Sequence, residues 1–349
     1  MDQRQQQLAS WVTAQLKEKA LVQSDAILPL TPVSGDASFR RYFRATTNGR
    51  SFIAMDAPPE KENSAPFVAI ANSWFAAGVP VPEIYAADLG QGFMLLSDMG
   101  DVLYLDRLTA QSADALYQQA LQTLVHIQPC CHIKGYELPH YNEARLTTEM
   151  ELCPEWFFSK LLGLRLEREE RKLLTGVFDA LVSSALEQPQ VCVHRDYHSR
   201  NLMLLQDGGV GVLDFQDAVL GPVSYDLVSL IRDCYISWPA PQEEKWIKQY
   251  MALAKSAKLI ESVEYAQFKG WFDWMGLQRH IKCVGIFSRL YLRDGKAGYL
   301  KDIPRTFDYL KVVCAAYPQF AEFNQWLDDK IVPAMASCTD LAIRQDRQA

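Results

Sequence analysis

Nothing in this 349-residue chain approaches the roughly 18 uninterrupted apolar residues that a membrane span requires. The amino terminus, MDQRQQQLASWVTAQLKEKALV, is helical in period but has no apolar core of the signal-peptide kind. Positive charge is also scarce: 35 Lys and Arg stand against 42 Asp and Glu, a formal charge of -7. The chain therefore offers no general basic field to nucleic acid or an anionic membrane, and an anionic ligand must meet a local cluster of cations. The eight cysteines (Cys130, Cys131, Cys153, Cys192, Cys234, Cys283, Cys314 and Cys338) lack the CxxC spacing of a zinc or redox site and read as reduced thiols. These absences predict a soluble, cytoplasmic protein with neither nucleic acid nor membrane as partner.

What is present suggests an α+β chain of two lobes, since 349 residues, 49% of them apolar, exceed what one core usually accommodates. The front is strand-rich. RRYFRAT and SFIAMDA flank an Asn48-Gly49 turn, a strong hairpin signal, and two further strands surround Asp88-Leu-Gly-Gln-Gly92. Between these pairs, APFVAIANSWFAAG predicts a helix ending at Gly78. From about Leu103 onward helical periodicity dominates, over 111–128, 143–162, 166–187, 226–236, 241–256, 262–292 and 302–333. The expected organisation is a small lobe over 1–100 and a larger helical lobe over 101–349.

One stretch interrupts the helices: CVHRDYHSRNLMLLQDGGVGVLDFQD, 192–217. Pairing LMLL with VGVL across Gln206-Asp207-Gly208-Gly209 sets residue 202 opposite 213, which brings Asn201 and Asp214 together at the open end. An amide and a carboxylate side by side suit a hard cation such as Mg2+. Asp196 would lie on the loop entering the same mouth, as a carboxylate able to orient a hydroxyl and accept its proton in phosphoryl transfer. Singly, Asp196 and Asn201 are also good turn formers, and Asp214 a strand-end cap. A different chemistry would use His194, Asp196 and His198 as an HxDxH metal cluster.

HRDYHSRN followed by GVLDFQDA resembles the aminoglycoside phosphotransferase and choline kinase-like superfamily, whose pattern HxDxxxxN then hydrophobic-Asp-Phe falls on His194, Asp196, Asn201 and Asp214. The resemblance implies a protein-kinase-like bilobal fold, ATP and Mg2+ as cofactors, and a small-molecule acceptor held by the helical lobe. It places SGDASFRRYFR, with Gly35 and Ser38, where a phosphate-covering loop would lie, although an ordinary hairpin loop fits these residues too. It places Ser97, Asp98 and Met99 at the hinge that contacts adenine, and Asp226 beneath the catalytic loop; Asp226 is equally suited to a helix amino terminus.

The sequence departs from the pattern where the phosphate-gripping strand lysine belongs. Met55 stands there, and the following helix has no glutamate to pair with a lysine. Arg41, Arg44 and Lys61 are the candidate replacements, Arg44 foremost. MDAPPEKE, EMELCPEWFF, DLVSLIRDCYISWP and GLQRHIKCVGIFSRLYLRDGK further resemble the branch of bacterial kinases that phosphorylate the anomeric hydroxyl of N-acetylmuramate and N-acetylglucosamine in peptidoglycan recycling. An amino sugar needs hydrogen bonds and an aromatic platform, for which Glu149, Glu151 and Trp156 are candidates, Glu149 and Trp156 lying seven residues apart on nearly one helical face. Arg232 and Asp233 are expected near the acceptor, and Arg279 at the lactyl carboxylate. Core packing for Trp156 and surface pairing for Arg279 are the plainer alternatives. The competing functions are a kinase for an aminoglycoside or other hydroxyl compound, and a nucleotide-binding regulator without catalysis.

Overall fold

The computed structural model describes residues 2–23, 26–33 and 39–342; Gly35 and Ser38 lie outside them. In chain order the principal elements are α1 (Gln3–Glu18), β1 (Leu30–Pro32), β2 (Arg41–Thr47), β3 (Arg50–Asp56), α2 (Ala65–Ala76), β4 (Ile84–Asp88), β5 (Phe93–Ser97), α3 (Ala113–Ile127) and α4 (Glu143–Met150). A π-helical segment, Cys153–Leu161, follows. Then come α5 (Arg168–Leu186), β6 (Gln190–Val193), β7 (Leu202–Leu204), β8 (Val210–Val212), β9 (Val219–Pro222), α6 (Tyr225–Ile231), α7 (Ala240–Ser256), α8 (Tyr265–Asp294) and α9 (Ile303–Ala316).

The chain divides into two compact units, the first taking the described residues up to Arg107 together with Cys130–Leu138 and Arg200–Ala218. Its main sheet is antiparallel in the order β1-β2-β3-β5-β4. Asn48 and Gly49 join β2 to β3 with φ of 47° and 73°, the doubly positive φ of a turn whose twist matches that of the flanking strands. Alternation along the strands then sorts the side chains. Phe43, Ala45, Phe52 and Ala54 share a core with Leu8, Val12 and Leu16 of α1, whereas Tyr42 and Ile53 face a cavity on the other side. Arg4 of α1 and Arg41 of β2 both bind the buried Asp56 carboxylate, at 2.5 Å each, tying helix to sheet.

The second unit takes Leu108–Pro129, Pro139–Ser199 and the described residues from Val219 onward. It is mainly helical, as expected, and α8 runs for 30 residues through it. Three helix expectations fail, the shortest of them being the one over 226–236, which ends at Ile231. The helix predicted over 143–162 breaks after Met150 and becomes π-helical. Gly285 of α8 passes so close that a Cβ there would lie 2.5 Å from the Cys153 nitrogen, while Pro154 lacks an N–H for an α-helical bond. The helix predicted over 302–333 stops at Ala316, where Tyr317 is extended before Pro318. Neither the long-range β6–β9 pair nor β1 was anticipated. Among the described residues no helix is long and apolar enough to cross a membrane.

Candidate active site

In the second unit, β6 delivers the chain into His194-Arg195-Asp196. Arg195 takes a φ of 78°, a costly conformation for a non-glycine residue. It is held by Asp226, at the first turn of α6, whose two carboxylate oxygens accept the His194 and Arg195 amides at 2.6 and 3.0 Å. Burial pushes the Asp226 carboxyl up to about 7, against the pull of those two donors. The buried His194 accepts the Asp196 amide on Nδ1 at 3.2 Å. At the far end, buried Asp233 accepts the Ser199 amide at 3.0 Å and its hydroxyl at 2.5 Å, and also the Tyr235 amide at 3.0 Å. Two aspartates seven residues apart, Asp226 and Asp233, thus fix both ends of the segment carrying Asp196.

Burial would raise the Asp196 carboxyl, but Lys282, His198, Arg195 and Arg279 outweigh it and hold the group below the ordinary aspartate value, so it is ionised at neutral pH. Two of these cations share a second carboxylate: Glu149 binds Arg195 and lies 3.1 Å from Lys282 Nζ, and it also accepts from the Tyr141 hydroxyl. Lys282 donates to the Tyr225 hydroxyl at 3.0 Å. Burial acts to raise Glu149 as well, and Lys282 and Arg195 again prevail and lower it. Nothing in the sequence spacing announced this cage, because its members come from four separated segments.

Of the other residues expected around the sugar, Trp156, Glu151 and Arg232 are not part of this cage. Trp156 is half-buried beneath Lys160, whose Nζ stands 3.4 Å from the ring centroid. The change to π-helical winding removes the common face that Glu149 and Trp156 were expected to share. Glu151 is exposed on an open groove formed by α4. Arg232 is buried between Glu243 and Asp273, at 3.0 and 2.9 Å. Arg279 is also buried, with Nη1 donating to Cys234 Sγ at 3.5 Å rather than lying on a surface stripe.

In the first unit a cavity of about 330 Å³ is lined by apolar Ile53, Phe67, Leu96, Met203 and Leu213 and by polar Ser97, Asp98, Asp101, Arg200, Asn201 and Asp214. The hairpin behind it is one residue out from expectation: Leu202 pairs with Val212, not with residue 213. The connection is five residues long, closed by the Leu205 amide on the Gly209 carbonyl at 2.9 Å, with Gly208 at a φ of 84°. Asn201 and Asp214 still meet, because the Leu213 amide bonds the Asn201 carbonyl at 2.9 Å and Asp214 adopts a φ of 63°. Their side chains lie 3.4 Å apart, and Gln216 donates to the other Asp214 oxygen at 2.7 Å. Phe215 anchors the turn by stacking on Phe67 at 4.9 Å.

An amide oxygen and a carboxylate side by side at a cavity wall would suit a hard divalent cation such as Mg2+, held by Asn201 and Asp214. No group of three or more His, Cys, Asp or Glu assembles for metal among the described residues, which removes the His194, Asp196 and His198 cluster. Ser97, Asp98 and Met99 line the cavity, and the Ser97 hydroxyl accepts the Glu83 amide at 2.9 Å. Arg44, the cation expected to reach the phosphates, pairs with two acids of the cavity lining. Its guanidinium is engaged by Asp98 at 2.5 Å and Asp101 at 2.8 Å, and these acids hold its proton more firmly than usual.

A family model described as the phosphotransferase enzyme family matches residues 29–271. An N-acetylmuramate/N-acetylglucosamine kinase of Pseudomonas aeruginosa is 45% identical over 329 residues, 93% of this chain and 96% of that protein. One of the same name from Neisseria meningitidis serogroup B is 40% identical, covering 91% and 93%. Among solved structures, a choline/ethanolamine kinase family protein from Mesorhizobium loti superposes with a TM-score of 0.60 at 14% identity, over 90% of this chain and 97% of that one. An ADP-bound aminoglycoside phosphotransferase gives 0.54 at 13% identity, over 86% and 97%. The fold is therefore the kinase-like one that the sequence led us to expect.

Proposed function

Because this chain belongs to the phosphotransferase enzyme family, we propose that it transfers the γ-phosphoryl group of ATP to the anomeric C1 hydroxyl of N-acetylmuramate and N-acetylglucosamine. The relatives bearing that name at 40–45% identity cover more than nine-tenths of the chain, which supports the same acceptor class here. The observation that carries the reading is the clamped segment between Asp226 and Asp233, which presents an ionised Asp196 among cations.

Asp196 is the base: it orients the C1 hydroxyl and accepts its proton as the sugar oxygen bonds to the γ-phosphorus and the bond to the ADP oxygen breaks. Asn201 and Asp214 would hold Mg2+, which neutralises phosphate charge when bound. Adenine would occupy the apolar end of the cavity beside Ser97, Asp98 and Met99. Arg195, Lys282 and Arg279 make the surroundings of Asp196 electropositive, which favours an acidic sugar over a cationic aminoglycoside. A cytoplasmic role in peptidoglycan recycling follows from that acceptor.

The test is ATP consumption by purified protein with Mg2+, offered N-acetylmuramate, N-acetylglucosamine, kanamycin and choline in parallel, with phosphorus NMR of the product. Turnover of the two N-acetyl sugars with a phosphorus signal coupled to the anomeric proton is the expected result. Turnover of kanamycin alone would overturn the acceptor assignment. Nucleotide binding without turnover of any acceptor would point to a regulator.

A further inference from the structure

We propose that Tyr235 and Tyr299 form the platform on which the pyranose ring of the acceptor sugar lies. The inference rests on the kinase reading above and assigns the aromatic part of its acceptor site. A pyranose has apolar C–H faces and a hydroxylated rim, and a half-buried tyrosine offers it a flat apolar face with a polar edge. Trp156, the ring expected in that role, lies in the π-helical segment with Lys160 Nζ 3.4 Å from its centroid. Tyr235 and Tyr299 are both half-buried. Both pack on the buried Phe287 of α8, Tyr235 at 6.3 Å with its plane tilted by 42° and Tyr299 at 5.4 Å with the planes 24° apart.

Two separate lines place this cluster beside the base. The first is the loop itself: Tyr235 meets the ring of His198, two residues after Asp196, edge-on at 5.3 Å. The second is α8, on which Arg279, Cys283 and Phe287 follow at intervals of four and share a face. Arg279 and Cys283 lie near enough to Asp196 for their charges to interact with its carboxylate. Phe287 stands one turn further along that face, about 6 Å on. The position of Tyr235 is also fixed along the backbone. One Asp233 oxygen accepts the Tyr235 amide at 3.0 Å while the other accepts the Ser199 amide at 3.0 Å, so a single carboxylate spaces the ring from the segment carrying the base. The Arg232 and Cys234 carbonyls accept from His280 Nε2 and Arg305 Nη1, at 2.9 Å each. Phosphoryl transfer demands a substrate pose accurate to about an ångström. A platform held by the same carboxylate as the base meets that demand, and it serves both N-acetyl sugars because the pyranose is common to them.

Steady-state kinetics of the full chain, with ATP and each sugar varied in turn, test the assignment in wild type, Y235A, Y299A, Y235F and Y299F. Each alanine variant should raise the KM for N-acetylmuramate and for N-acetylglucosamine alike, by about 3- to 10-fold, and leave the KM for ATP unchanged. The phenylalanine variants keep the ring and should restore the sugar KM to about the wild-type value. Tyr299 lies in the 3-10 helical turn Ala297–Asp302, so Y299A reads the platform even where Y235A loosens the Asp233 clamp. A sugar KM unaltered in Y299A would overturn the platform and leave the kinase reading intact. The same holds if Y235A lowers kcat with the sugar KM unchanged, which would show that the ring supports the loop and not the sugar. A rise confined to N-acetylmuramate would overturn the pyranose assignment in favour of its acidic substituent. A wild-type protein that turns over neither sugar would overturn both readings.

Discussion

Replacing Asp233 by asparagine probes the clamp at the far end of the Asp196 segment. One Asp233 oxygen accepts the Ser199 amide and hydroxyl, at 3.0 and 2.5 Å, and the other accepts the Tyr235 amide at 3.0 Å. Asparagine keeps a single oxygen. Turned towards Ser199, it presents an NH2 group to the Tyr235 amide, leaving a buried donor without an acceptor at a cost of about 1–3 kcal/mol. Conversion of the Ser199 bonds from charge-assisted to neutral adds about 1 kcal/mol. The sum, about 2–4 kcal/mol, corresponds to a fall in Tm of several degrees, at roughly 2–4 °C per kcal/mol for a domain of this size class. Ser199 stands three residues after Asp196, so loosening it should displace the base by a fraction of an ångström and lower kcat by about 10- to 100-fold. The nucleotide KM should hold, since the cavity is built in the other unit. Thermal unfolding and steady-state kinetics on D233N, S199A and the double variant form a cycle, in which removal of the hydroxyl should cost less once Asp233 has been changed. A kcat unaltered in a protein destabilised as calculated would show that the clamp supports the fold and not the base. An unaltered Tm would contradict the hydrogen-bond arithmetic itself.

Other perturbations have equally definite outcomes. D196N should lower kcat at least 100-fold while ADP binding measured by calorimetry stays within about twofold of wild type, because Asp196 does not line the cavity. E149Q should cost about 3–5 kcal/mol in urea unfolding at pH 7 by leaving Lys282 and Arg195 short of a counter-charge. The Glu149 carboxyl lies below its ordinary value in the fold, so its contribution is complete above the unfolded value near 4.5 and disappears as pH falls through the folded one. The gap between E149Q and wild type should therefore close on acidification. G285A should lower Tm by well over the effect of an ordinary surface change, because the added Cβ would meet backbone atoms of Leu152 and Cys153 at 2.5 Å. Normal stability in G285A would mean that the π-helical segment can move aside.

What could be read in the sequence was whatever short-range geometry dictates. Asn48-Gly49 needs only its own doubly positive φ to make a hairpin, and the alternation of Tyr42, Phe43, Ile53 and Ala54 follows from strand period. Asn201 and Asp214 could be brought together from turn length even though the register was one residue out, since both lie next to the paired strands. Features set by distant segments could not be read. The π-helical winding of Cys153–Leu161 depends on a glycine more than a hundred residues away. The place of Arg44 depends on Asp98 and Asp101, two carboxylates of the cavity lining that come from a segment far along the chain. The cage of Glu149, Arg195 and Lys282, with the Tyr141 hydroxyl donating into it, joins residues from separate segments, and burial makes the three charges one another's counter-ions.

The chain passes between its two units five times, at 107/108, 129/130, 138/139, 199/200 and 218/219. During synthesis on the ribosome, the sheet of the first unit can therefore form early while the unit itself stays unfinished until residue 218 has emerged. By then, much of the helical unit has been made and is still waiting for α6 to α9. Neither unit exists as one continuous piece of polypeptide. A fragment cut at residue 107 would carry the main sheet without Asn201 and Asp214, and exchanging a contiguous front segment with a relative would import only part of the cavity lining.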